Sequence, residues 1–147
     1  MSSFKGSMTY AVDEKGRINI PAKFRKDLSP KARKTFVAIR GFEKCLRLYP
    51  LDEWNRIEPE IRRLSSNDAQ NRFYKRMMLD LLAEAKLDAQ SRFMIPKDLL
   101  EHAGIKNDVL IIGQIEYLEV WNPNIYRDYI TAQNTTFEAV AQNIIPK

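Results

Sequence analysis

Apolar residues recur along this chain at two different periods. Val37 and Ile39, then Leu46 and Leu48, alternate with other residues at the two-residue period of half-buried strands, and the Gly41 region between them supplies a hairpin turn. Leu51, Trp54, Ile57, Ile61 and Leu64 instead follow helical spacing through Pro59, which should bend or divide that helix. Ser66 or Asn67 is placed to cap a second helix, with Asp68 in its first turn. Its residues Phe73, Met77 and Leu81, joined by Met78 and Leu82, form a broad apolar face, and strands are its expected cover. Phe137, Val140, Ala141 and Ile144 lie at i, i+3, i+4 and i+7. That stripe suits either an amphipathic helix docking on a neighbouring subunit or a frayed end.

The strand pattern occurs twice. Shifting the chain by 75 positions lays Val12-Asp13-Glu14-Lys15-Gly16-Arg17-Ile18-Asn19-Ile20-Pro21 on Leu87-Asp88-Ala89-Gln90-Ser91-Arg92-Phe93-Met94-Ile95-Pro96. A short helix should follow each proline, which takes the first helical position, and Phe24 and Leu28 in one copy match Leu99 and Ala103 in the other. Gly104 stops the second of these helices. At a shift of 72, Val37, Ile39, Gly41, Leu46 and Leu48 fall on Val109, Ile111, Gly113, Leu118 and Val120, as if one loop were three residues shorter. The match returns at Pro123 to Tyr129, parallel to Leu51 to Ile57. Each copy therefore reads as strand, tight turn, strand, short helix, strand, turn, strand.

Composition narrows what such a duplicated unit can do. The 147 residues suffice for one domain or two small ones with a real core. The longest apolar runs, such as 109–113, fall far short of a membrane span, and the first residues lack a signal-peptide apolar region, so an intracellular protein is expected. One cysteine and one histidine permit neither an internal disulfide nor the usual zinc site. His102, in the last turn of a helix, and Cys45, at a strand start, read as structural residues. No phosphate-binding loop, HExxH or GxSxG motif is present, so neither enzyme activity, cofactor nor metal is expected.

Charge points elsewhere. The formal net charge is +5, yet residues 1–64 carry 15 Lys+Arg against 8 Asp+Glu, and the excess is concentrated before residue 41. Such a field favours polyanions, although a basic face serving only solubility fits the same count. In the first copy Asp13 can accept a backbone N–H two residues on, and Gly16 tolerates positive φ, which makes residues 13–16 a tight turn. Extended chain from Lys15 onward would project Lys15 and Arg17 on one side. There Arg17 would suit guanine bidentately and Lys15 would neutralise phosphate. An Asp13–Arg17 ion pair across the turn is the competing reading, and the residues alone leave both open.

In order, Phe4-Lys5-Gly6, Asp13-Glu14-Lys15-Gly16-Arg17, Ile20-Pro21-Ala22-Lys23-Phe24-Arg25, Gly41-Phe42, Leu48-Tyr49-Pro50-Leu51-Asp52-Glu53-Trp54, Asp88-Ala89-Gln90-Ser91-Arg92 and Ile95-Pro96 make the chain resemble the MraZ family of bacterial transcriptional regulators. The likeness spans about residues 4–130. It implies an α+β fold: two tandem AbrB-like swapped-hairpin modules forming a pseudo-two-fold β-core, with helices between and after them. The modules are expected at 7–53 and 82–125, with connecting helices at 54–81 and a C-terminal helix or tail at 126–147.

The resemblance further implies a regulator of the cytoplasm and nucleoid, without cofactor. It would bind short direct repeats in duplex DNA upstream of its own operon, within the division and cell-wall gene cluster. It would act as a homo-oligomeric ring of eight or more subunits, with no membrane partner. Arg17 and Lys15 are the DNA-contacting residues carried over. Lys5 and Lys23 are nominated for backbone contact by charge and position, and Arg92 for a helping or structural part. Ser91 stands where the family keeps glycine, so the second turn is expected to take another shape and the first to dominate contact. Two other classes stay open: a ring-forming scaffold or antitoxin-like interaction protein, and an RNA binder stacking bases on Phe4 and Tyr10; Trp54, Trp121 and the C-terminal stripe would serve subunit contacts whether the protein is a DNA-binding regulator or an interaction protein.

Overall fold

The computed structural model describes residues 1–145. The first copy contributes β1 (Ser7–Ala11), β2 (Arg17–Asn19), α1 (Ala22–Lys26), β3 (Thr35–Arg40) and β4 (Leu46–Pro50), with one 3₁₀ turn at Pro30–Ala32. Helices α2 (Leu51–Arg62) and α3 (Ala69–Leu79) intervene. The second copy repeats the order as β5 (Ala83–Lys86), β6 (Arg92–Met94), α4 (Lys97–Ala103), β7 (Asp108–Gly113) and β8 (Leu118–Trp121), followed by α5 (Pro123–Thr131) and α6 (Phe137–Ile144). Pro21 and Pro96 stand at the caps of α1 and α4, one residue before the expected position.

The copies exchange strands. One six-stranded sheet runs β1-β7-β8-β4-β3-β5, so the leading strand of each copy pairs with the hairpin of the other. A separate two-stranded ribbon joins β2 to β6, with Ile18 opposite Phe93. Arg47 faces Glu119 at the middle of the β4·β8 pair, and a pseudo-two-fold axis relates the halves through these two points. Ile18, Ile20, Phe93 and Ile95 face inward against Phe4, Phe24, Phe36, Leu48, Leu99 and Ile111 in the main core.

The pairing corrects the repeat alignment. Ala38 lies opposite Leu48, and Ile111 opposite Val120, so Ala38 corresponds to Ile111 and Phe36 to Val109. The expected match of Val37 with Val109 and Ile39 with Ile111 is one residue out. Two residues are lost before the third strand of the second copy and one within its hairpin. Strand residues alternate faces, so this slip matters: Phe36 and Ala38 enter the main core, whereas Val37 and Ile39 join Tyr49, Trp54 and Ile61 in a second cluster beneath α2.

Other expectations change too. Helix α2 runs undivided through Pro59, because Trp54 and Ile61 anchor it on both sides and the carbonyl of Asn55, which loses its amide partner, belongs to an exposed residue. The cap of α3 is Asp68, which accepts from the Gln70 N–H at 2.8 Å; Ser65 instead accepts from Asn67. The α3 face is covered only in part: Met78 and Leu82 pack on the second cluster while Phe73 is 65% exposed. Trp54 and Trp121 are buried within the chain, which removes them as subunit contacts. Phe4 is core and Tyr10 packs against it, leaving no base-stacking pair at the basic arm.

Phe93 is buried on the axis and meets Phe36 edge-on at 6.3 Å. Phe93→Ala should therefore destabilise the chain by about 3–5 kcal/mol, read from the denaturant midpoint. A loss below about 1 kcal/mol would contradict this central placement.

Candidate nucleic-acid interface

The ribbon has one buried and one open face. With Ile18 and Phe93 inward, the two-residue period turns Arg17, Asn19, Arg92 and Met94 outward, Arg17 opposite Met94 and Asn19 opposite Arg92. Met94 is 47% exposed despite being apolar. Asn19 and Met94 escaped the sequence reading, although their position between buried isoleucine and phenylalanine neighbours was the available signal.

A turn precedes each ribbon strand, and the two turns share their bonding. Asp13 Oδ1 accepts from the Lys15 and Arg17 N–H groups, both at 2.9 Å, while Arg17 Nε donates to Asp13 Oδ2 at 2.6 Å. Asp88 Oδ1 accepts likewise from Gln90 and Arg92, and Arg92 Nε donates to Asp88 Oδ2 at 2.8 Å. The expected difference in shape is absent. Ser91 adopts φ 62°, the left-handed region occupied by Gly16 at φ 83°, and the Asp88 bonds offset the strain of about 1–2 kcal/mol. Each turn is also tied to the opposite copy: Ile95 N–H donates to Gly16 O and Ile20 N–H to Ser91 O.

The positive φ at Gly16 breaks the extended run that would have sent Lys15 and Arg17 to one side. Arg17 folds back on Asp13 and its side chain is 24% exposed, so the ion-pair reading describes its ground state. Its bond runs through Nε, and among the described residues its terminal amino groups make no hydrogen bond. Lys15 is exposed beside it, and both line a shallow recess with Val12, Asp13 and Glu14. Lys23 lies over Gly6, and neither Lys23 nor Lys5 lines this recess. The structure thus unites Lys15 with Arg17, leaves Lys5 and Lys23 outside that recess, and sets Arg92 in the equivalent second turn.

Strand exchange redistributes the N-terminal charge. The Leu87 N–H donates to Lys34 O, which fastens the loop after the 3₁₀ turn to the strand entering the second turn. A cleft of about 950 Å³ opens there, lined by Arg25, Arg33, Lys34, Lys86, Asp88 and Ser91 among others. At the first turn Asn107 O holds Val12 in the same way, and Leu100, Lys106, Asn107 and Ala11 occupy the corresponding places. The four cationic positions of this cleft thus have one cationic counterpart, Lys106, at the first turn.

The backbone N–H of Arg17 is the largest influence holding the Asp13 carboxyl below its ordinary range; its side chain and the Lys15 N–H act in the same direction, against desolvation. Asp88 is lowered likewise, led by the Arg92 N–H. Elsewhere burial lowers His102, helped by Arg40 and Lys44, so an imidazolium is disfavoured at that helix end. Glu43, Cys45 and Glu119 bring donor atoms within 4.8 Å of one another. Burial, then Glu119 and Glu43, pushes the Cys45 thiol up to about 12, and the Trp121 indole N–H donates to Glu119.

The fold and site define a duplicated, strand-exchanged β-core that presents paired Asp-x-x-x-Arg turns around an open ribbon. A family model described as "MraZ protein, putative antitoxin-like" matches residues 3–77 and again 78–145. The transcriptional regulator MraZ of Syntrophomonas wolfei is 40% identical over 142 residues, covering 97% of this chain and 96% of its own. The regulator of the same name from Natranaerobius thermophilus is 35% identical with the same coverage, and that of Caldanaerobacter subterraneus 36% over 95% and 94%. The chain belongs to the MraZ family, a class of regulators rather than enzymes.

Because both turn carboxylates are lowered in the fold, their stabilisation is complete above the unfolded value of about 4 and is lost as pH falls through the lower folded value. Asp13→Asn should melt below the parent at pH 7, and the gap should close in acid. A gap unchanged down to pH 3 would contradict the turn assignment. Gly16→Ala should destabilise by about 1–2 kcal/mol in the same melts, since its Cβ would meet Ile95 O at φ 83°; an unchanged melt would show that the turn relaxes freely.

Proposed function

We propose that this protein is a transcriptional regulator that binds duplex DNA through the open face of its two-stranded ribbon. The observation that carries the reading is the outward set Arg17, Asn19, Arg92 and Met94 on a ribbon anchored from beneath by Ile18 and Phe93. A major groove admits such a ribbon. Arginine matches guanine O6 and N7, asparagine matches adenine N6 and N7, and a methionine methyl contacts thymine. Arg17 and Arg92 are oriented by their aspartates through Nε, which leaves terminal amino groups for a base edge. Exposed Lys15, with Lys5 and Lys23 further off, supplies phosphate contacts. The curated relatives' common name supports the regulatory part of the reading.

Binding of short direct repeats upstream of its own operon, in the cytoplasm at the nucleoid, is what the family resemblance adds to this proposal. No helix among the described residues is long and apolar enough to cross a membrane. A homo-oligomeric ring supplies avidity by holding several ribbons at a fixed spacing. Phe73 on α3 and Phe137, Val140 and Ile144 on α6 are exposed apolar residues available for its contacts.

Arg17→Ala should remove preference for the protein's own upstream fragment over a scrambled duplex. Loss of one bidentate contact per engaged subunit is worth about 1–3 kcal/mol, or roughly 5- to 150-fold, at fixed salt. The oligomer should stay intact by light scattering. Retained discrimination in a folded Arg17→Ala protein would mean that the ion pair is structural only.

A further inference from the structure

We infer that the cleft beside the second turn is a phosphodiester-binding site, built from three cations of the first copy, Arg25, Arg33 and Lys34, together with Lys86 of the second. Its ligand is the backbone of the duplex engaged by the ribbon. This rests on the DNA-binding reading and deepens it: beside the outward Arg92, the second turn gains a backbone clamp that the first turn lacks.

Four exposed cations, Arg25, Arg33, Lys34 and Lys86, line one cleft. The carboxylate in its wall, Asp88, is already taken up by Gln90 and Arg92. Among the described residues none of these cations has a salt bridge. Arg25 donates one terminal amino group to Ile20 O, a carbonyl that leaves its positive charge unneutralised. Like charges gathered without a counter-charge repel one another, and a passing polyanion relieves that repulsion.

Backbone conformation adds an independent indication. Arg33 and Lys34 hold φ 53° and 56°, two consecutive left-handed residues with bulky side chains where glycine or asparagine would fit with less strain. Their equivalents Lys106 and Asn107 have no positive φ. The bond from Leu87 N–H to Lys34 O pins this strained pair against the second turn. Ala89 and Gln90 at the turn tip are uncharged, so they add neither attraction nor repulsion. Phosphate contacts position a protein without reading sequence, so this cleft sets affinity and the ribbon sets preference.

The test compares the full-length parent, Arg33→Asn with Lys34→Asn, Lys86→Gln alone, and Arg17→Ala. Binding to the protein's own upstream fragment and to a scrambled duplex of equal length is followed across a salt series. Asparagine accepts the left-handed backbone, and Lys86 is exposed, so the cleft variants retain the fold by two routes. The double variant should weaken binding to both fragments alike and lower the log–log salt slope by about 1.8 per engaged subunit, and Lys86→Gln by about 0.9. The ratio between fragments should stay at the parent value. Parent-like affinity and slope in both cleft variants, with discrimination lost only in Arg17→Ala, would overturn the cleft and leave the ribbon standing. A parent that binds neither duplex would overturn both.

Discussion

The exchange of strands between the two copies is the constraint on which the rest of this molecule depends. Each copy alone has a leading strand with no partner and a second strand too short to stand. Pairing β1 with β7 and β5 with β3 satisfies those edges, and the β2·β6 ribbon closes the arrangement over Ile18 and Phe93. The two cross-copy bonds from Ile20 and Ile95 to the turn carbonyls then fix both turns to a body they do not belong to in sequence. A binding surface assembled this way is rigid because unfolding it means separating the halves.

That exchange also decides where charge is felt. Read linearly, the basic N-terminal third surrounds the first turn. In space Arg25, Arg33 and Lys34 stand at the second turn, which is neutral at its tip, while the first turn keeps its own Lys15. The two ends of the ribbon therefore differ: at the first turn Lys15 and Arg17 stand beside Asp13 and Glu14, while the second draws its cations largely from the opposite copy.

Much of this was legible beforehand, for identifiable reasons. The duplication was visible because the turn and proline recur in both copies with one spacing. The register of β3 was not, because Phe36, Val37, Ala38 and Ile39 are all apolar and buried, which erases the alternation that would have set its phase. Asp68 outcompeted Ser66 and Asn67 as a cap because its carboxylate reaches the Gln70 N–H. Ser91 suggested a distorted turn, yet the bonds to Asp88 impose the glycine-like conformation. The Asp13–Arg17 ion pair and DNA contact looked like rivals. Bonding through Nε makes them compatible, since one orients the arginine that the other would use. The second-turn cleft was illegible because no local pattern reports which copy supplies a neighbour.

Methyl NMR of methionine-labelled protein tests the central claim most directly, because the five methionines divide cleanly by position: Met94 on the ribbon face, Met77 and Met78 on α3, Met8 on β1 and Met1 at the N-terminus. Adding the duplex from the protein's own upstream region should shift or broaden Met94 while leaving Met77 and Met78 in place. A silent Met94 with shifts confined to α3 would contradict a ribbon that meets DNA.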